Sequence, residues 1–228
     1  MIFVETKLKG AYLIEIQKLE DDRGFFARSY CFREFEAHGL NPRVAQCNIS
    51  YNAAKGTLRG MHYQVPPYEE AKLVRCTMGS IYDVIVDLRP NSGTYCQWIG
   101  VELSSPRFPL PSSISHSGVD GSQLTADRSR VTAHSSLLTA HRSVVAAHCL
   151  PLTAHYRMLY IPEGFAHGFI TLEDDTEVFY QMSEFYAPDS GRGFRWNDPA
   201  FGIDWPLEPA VISEKDRNYT DFVVSSKL

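Results

Sequence analysis

The 228-residue chain has no run of about 18 apolar residues, the length needed to cross a bilayer as a helix. Its start, MIFVETKLKG, has no basic stretch leading into an apolar one, so no signal peptide is expected. Cysteine is sparse, odd in number and scattered, at positions 31, 47, 76, 96 and 149, with no CxxC pair. That usage fits reduced thiols in a cytoplasmic protein and excludes a disulfide framework. Neither sign of charge dominates. With 22 Lys and Arg against 27 Asp and Glu, the net charge is -5, which argues against non-specific nucleic-acid binding but leaves room for a local basic pocket. Glycine-rich nucleotide loops are absent. Helical periodicity is scarce too. The single helical candidate is FREFEAHGL, with Phe32, Phe35 and Glu36 at helical spacing and Gly39 as its stop.

What the chain does contain is aromatic and β-branched sequence. Thirteen Phe, 12 Tyr and 3 Trp can build a sizeable β core. The stretches LKGAYLIEI, RGFFARSYC, RVAQCNISY, TLRGMHYQV, AKLVRCTMG, SIYDVIVDL and CQWIGVELS read as short strands, followed later by RMLYIP, GFAHGFITL and TEVFYQMSEF. Turn signals such as EDDRG, NAAKG, MGS and RPNSG separate them. Many short strands without alternating helices predict an all-β sandwich, jelly roll or barrel.

Residues 104–156 differ from the rest. Five units repeat at a period of seven (QLTADRS, RVTAHSS, LLTAHRS, VVAAHCL, PLTAHYR), placing His134, His141, His148 and His155 at one position of the unit. The apolar pair in each unit is adjacent and flanking Glu/Lys pairs are missing, so a coiled coil is not expected. The segment reads as an expanded low-complexity loop, at 106–155, set into a single domain. Closure entropy grows only logarithmically with length, so a hairpin turn can carry such an insertion at small cost. Repeated histidines can bind a metal, but nothing in the repeat fixes their geometry, and solvated side chains are the simpler reading.

Chemistry-bearing residues lie on the strands. Strand alternation in TLRGMHYQ puts Leu58, Gly60, His62 and Gln64 on one face, with Arg59, Met61 and Tyr63 on the other. An inward histidine is a base, a metal ligand or a buried structural group; taken alone, the structural role is the commonest. AKLVRC turns Lys72 to the same side as Val74 and Cys76, and a buried lysine needs a partner or an anionic ligand. IYDVIVDL turns Asp83 inward with Ile81 and Ile85, where it can orient an imidazole or pair with Lys72. TEVFYQM puts Tyr180 with Val178 and Met182. A barrel interior with His, Lys, Asp and Tyr is polar enough to require internal partners or a ligand.

These stretches resemble the dTDP-4-dehydrorhamnose 3,5-epimerase family, enzymes of dTDP-rhamnose synthesis. The resemblance is carried by DDRGFFARSY, QCNIS, LRGMHYQ, KLVRC, YDVIVDLRPNSGTYCQWIGVEL, YIPEGFAHGF, VFYQMSEFYAP, RWNDPAFGIDWP and ISEKD. IPEGFAHGF and WNDPAFGIDWP together form a specific signature. The match covers nearly everything outside the repeat; where this chain has its insertion, the family joins two strands by a short turn. The resemblance implies a cupin jelly-roll core and a homodimer with exchanged N-terminal strands. It also implies His62 as the base beside a C4 ketone, Asp216 as the holder of its imidazole, Tyr180 as the acid on the opposite face, and Lys72 as the group stabilising the enolate oxygen. By the same resemblance, Arg23, Gln46, Asn48, Arg59, His167 and Tyr186 match positions that hold the nucleotide diphosphate and base or line the site. Arg28 stands where many members carry Glu, near the nucleotide base; it reads equally as a determinant of which base is accepted or as a plain surface cation.

The chemistry fits these residue types. A proton next to a ketone becomes removable once the enolate oxygen is stabilised in a water-poor site, and a base near neutral pKa then suffices. Guanidinium groups suit a diphosphate, although Arg23 also fits a simple turn residue and Arg59 falls on the opposite strand face from His62. Such a step needs no redox cofactor. Metal-binding cupins use HxH with a following Glu and a later His; here the first site reads HYQ, so no metal is expected. Competing readings are a mono-epimerase or ketoisomerase on a related nucleotide sugar, a cupin that binds such a sugar without turning it over, and a product disabled by the insertion.

Overall fold

A computed structural model describes residues 1–105 and 156–224. The 106–155 segment, with its expected loop and its histidine repeat, lies outside the described residues. The described chain is built almost wholly of strands: β1 (Ile2–Glu5), β2 (Tyr12–Glu15), β3 (Lys18–Asp21), β4 (Gly24–Ala27), β5 (Gln46–Asn52), β6 (Thr57–Gln64), β7 (Lys72–Met78), β8 (Ser80–Asp87) and β9 (Trp98–Ser104). After the insertion come β10 (Met158–Ile161), β11 (Phe165–Thr171), β12 (Thr176–Met182), β13 (Gly191–Gly193) and β14 (Val211–Ile212). No described helix is long and apolar enough to cross a membrane.

Two sheets face one another. One has the order β1-β2-β10-β7-β12-β5 and the other β13-β6-β11-β8-β9, with β14 pairing in parallel with β6. This is an all-β architecture, as the many short strands predict, and the cupin jelly roll that the resemblance implies. The alternation of β8 explains how one strand serves two layers. Ile81 and Ile85 point between the sheets, where they meet Val74, Cys76, Leu159, Val178, Phe165 and Phe169. Val84 and Val86 point the other way, beneath Phe194 and Phe201 of the C-terminal segment. Each such side chain fully removed from water contributes roughly 1.5–3 kcal/mol.

The expected helix is α1 (Phe32–Ala37), whose Phe35 fills a third apolar cluster with Leu40, Leu73 and Tyr160 on the outer face of the first sheet. It stops where Gly39 takes φ +69, a conformation that glycine adopts without strain. Near the C-terminus there is a second helix, α2 (Glu214–Arg217), which strand and helix periodicity did not mark. Its signal is a cap: Ser213 accepts a 3.0 Å hydrogen bond from the Asp216 amide, three residues on. β3 and β4 form a two-stranded sheet of their own, with Phe25 edge-on to Tyr156 at 5.4 Å between ring centroids. On it, Leu19 and Phe26 are 63% and 71% exposed.

Candidate active site

The mouth of the barrel opens into a cavity of about 750 Å3 lined by Arg59, His62, Lys72, His167, Tyr180 and Asp216, among others. A second cavity of about 430 Å3 adjoins it, sharing His62, Lys72 and Tyr180 and adding Gln46, Asn48 and Tyr186. Nine of the expected site residues are therefore brought to one connected space. They come from both sheets. His62 stands on β6 and His167 on β11 in one sheet; Lys72 on β7 and Tyr180 on β12 come from the sheet opposite.

The His62 ring is held from behind. Its Nε2 lies 2.6 Å from Asp216 Oδ1, and the Gly60 amide donates to Asp216 Oδ2 at 3.4 Å. Asp216 is buried, whereas the His62 side chain is 42% exposed toward the cavity. Burial pushes the Asp216 carboxyl up, but the His62 hydrogen bond and charge, with the Gly60 amide and Ser213, outweigh it and hold the group below its ordinary value. An ionised carboxylate only accepts hydrogen bonds, so it takes the Nε2–H and leaves Nδ1 as the nitrogen with a free lone pair. Tyr219 packs edge-on against the same imidazole at 5.9 Å between ring centroids.

Arg59 corrects the alternation reading. His167 of β11 pairs with His62, and Phe169 pairs with Arg59, so two steps along β11 match three along β6. The extra β6 residue is a bulge, and it resets which face each side chain takes. Arg59 thereby lines the same cavity as His62, steadied by a 2.8 Å hydrogen bond from its Nε to Asn52 Oδ1.

Asp83 is turned inward, as alternation predicts. It is fully buried and lines neither cavity; it lies behind His167, with Oδ1 2.5 Å from His167 Nε2. Of its two expected roles, orienting an imidazole is the one the geometry provides. Lys72 pairs instead with Glu70, Nζ to Oε1 at 2.8 Å. Sequence reasoning missed Glu70, although its spacing of two from Lys72 is the signal for a shared face in extended chain. Tyr180 is partly buried, and burial raises its phenol above the ordinary value, against a smaller opposing effect of Arg59.

Gln46 donates to Asn48 Oδ1 at 3.3 Å and accepts from the Tyr186 amide at 2.9 Å, which ties three of the expected binding residues together. Arg23 and Arg28 are not brought in. Arg23 sits in the turn of the β3–β4 hairpin, paired with Asp21, its side chain 89% exposed. Arg28 is paired with Glu34 of α1 at 2.6 Å. Both stand outside the cavities of their own chain. Among the described residues, no three His, Cys, Asp or Glu side chains gather as a metal cluster.

Comparison with known proteins accords with this geometry. A family model described as dTDP-4-dehydrorhamnose 3,5-epimerase matches residues 5–119 and 142–223. The residues it leaves out between those spans fall within the segment that holds the repeat. The chain is 37% identical, over 95% of its own length and 92% of the relative's, to dTDP-4-dehydrorhamnose 3,5-epimerase of Methanothermobacter thermautotrophicus. Among solved structures, the enzyme of that name from Elizabethkingia anophelis superposes with a TM-score of 0.74 at 32% identity, covering 97% of this chain and 96% of that one. The one from Bacillus anthracis, with TDP and PPi bound, gives a TM-score of 0.72 at 33% identity, covering 97% and 99%. Matches of this extent place the chain among the isomerases: it belongs to the dTDP-4-dehydrorhamnose 3,5-epimerase family.

Proposed function

We propose that the protein epimerises a nucleotide-diphosphate-linked 4-keto-6-deoxy sugar at C3 and C5, converting dTDP-4-dehydro-6-deoxyglucose to dTDP-4-dehydrorhamnose. The observation that carries this reading is the opposition of groups across one cavity. His62, held from behind by Asp216 of α2, stands on one sheet, and Lys72 and Tyr180 stand on the other. His62 Nδ1 takes the proton from the carbon beside the ketone, and the C–H electrons pass to the C4 oxygen. Lys72 stabilises the enolate oxygen that results. Asp216 steadies the imidazolium. Tyr180 returns a proton to the other face of the carbon, the ketone re-forms, and the configuration is inverted. His62 then gives its proton to solvent and Tyr180 takes one back, and the same sequence at the second carbon completes the reaction with no net change in protons or electrons.

Arg59, His167, Gln46, Asn48 and Tyr186 surround the rest of the ligand, and the TDP of the Bacillus anthracis structure supports a nucleotide diphosphate as its handle. The protein acts as a cytoplasmic homodimer. The exposed β3–β4 hairpin reaches a second copy through Leu19 and Phe26 and carries Arg23 to the partner's site. NMR analysis of the product from dTDP-4-dehydro-6-deoxyglucose tests the function. Inversion at both C3 and C5 is expected. Inversion at one carbon makes the protein a mono-epimerase, and unchanged substrate with folded protein overturns the reading.

A further inference from the structure

Among the described residues Lys72 is the one buried lysine or arginine, and it is not free. Its side chain is 10% exposed and its Nζ lies 2.8 Å from Oε1 of Glu70, whose side chain is 4% exposed. Glu70 lines the second cavity together with Lys72, Tyr180 and His62. Its other oxygen, Oε2, is buried without a hydrogen-bond partner. Buried carboxylates are rare unless paired, and an unpartnered oxygen on one is a cost that a packing role does not require. The loop carrying Glu70 is anchored on both sides. Gln64 Nε2 donates to the Tyr68 carbonyl at 2.7 Å, and the Ala71 amide donates to Ser183 Oγ at 2.8 Å. The carboxylate is thus fixed in place ahead of β7, not carried on a mobile arm.

We propose that Glu70 is a positioning residue for Lys72: it supplies the counter-charge that lets an ammonium stay inside the barrel, and it fixes Nζ where the C4 oxygen of the substrate develops its charge. The inference rests on the epimerase reading above. One ammonium proton is committed to Glu70 Oε1, which leaves the other two for the substrate oxygen. Because only an interaction aimed at the developing charge accelerates the step, an Nζ displaced by about 1 Å loses on the order of 100-fold in rate.

The test is a double-mutant cycle on proton exchange. Deuterium uptake at C3 of dTDP-4-dehydro-6-deoxyglucose is measured for the wild type, Glu70→Leu, Lys72→Met and the double variant, with dTDP affinity by calorimetry and melting temperature alongside. Glu70→Leu is expected to slow uptake by about 100-fold with dTDP affinity unchanged, and to have no further effect once Lys72 is Met. The double variant is expected to melt above Glu70→Leu, because removing both charges leaves no uncompensated ammonium. Should Glu70→Leu fail to fold, Glu70→Asp retains the charge but withdraws it from Nζ, and it is expected to lose rate while staying folded. Independent losses from Glu70 and Lys72, or wild-type uptake in both Glu70 variants, overturn the proposal. A wild-type protein that gives no uptake overturns the epimerase reading itself.

Discussion

Asp216 is buried beside His62, yet its carboxyl lies below its ordinary value because hydrogen bonds and the His62 charge outweigh burial. A depressed folded value means that the stabilisation is fully present above the unfolded value of about 3.9 and is lost as pH falls through the folded one. Asp87, held down against burial by Arg89, Ser92 and Thr94, behaves the same way. The melting temperature is therefore expected to hold as pH falls to about 4 and to drop below it. A melting temperature flat to lower pH would contradict the pairing. Asp216→Asn keeps the shape but presents an amide to Nε2; exchange at C3 is expected to fall by about 10²- to 10⁴-fold. On the opposite wall, burial raises the Tyr180 phenol, so it stays protonated at neutral pH and can donate. Tyr180→Phe is expected to slow inversion more than exchange, read by NMR on one sample; equal losses would remove Tyr180 from the donor role. At this scale much was legible. Inward His62, Lys72 and Tyr180 follow from alternation, because a residue type that is costly to bury marks itself. Glu70 and Asn52 escaped because each acts through a neighbour and not on the cavity alone.

Between β6 and β11, the element that matters is the bulge. A Cβ on Gly60 would lie 2.5 Å from Gly168 Cα, and Gly60 has φ +136. Only glycine allows the two backbones to approach so closely while Arg59 and His62 share a face. Gly60→Ala is expected to cost at least about 1–3 kcal/mol of stability and to reduce exchange, measured by denaturant melts and NMR. Unaltered stability would contradict the close approach. Strict alternation placed Arg59 on the wrong face because a period of two assumes an unbroken ladder. The lone glycine inside TLRGMHYQ was the available sign of the break. The short helix α2 escaped for a related reason. Four residues are too few for helical periodicity, so only the Ser213 cap announces it.

At the scale of the whole molecule, what matters is how the described residues meet on either side of 106–155. The Tyr156 amide donates to the Ser104 carbonyl at 3.4 Å, so the two ends of the segment adjoin. A short turn can join them without moving β9 or β10, and both strands keep their partners. Deleting 106–155 and closing the gap with a few residues is expected to preserve the melting temperature and the exchange rate; loss of either would give the repeat a part in the fold or the site. The all-β architecture was legible because nearly every strand carries its own β-branched and aromatic signal. The placement of Arg23 and Arg28 was not, since a hairpin that pairs only with itself reads in sequence like any other.

The account depends most on His62 as the base. Deuterium uptake from D2O into dTDP-4-dehydro-6-deoxyglucose, followed by NMR with wild type and His62→Ala side by side, tests this directly. The account predicts uptake at C3 and C5 with the wild type and none above background with the variant. Uptake by a folded His62→Ala protein at the wild-type rate would contradict it.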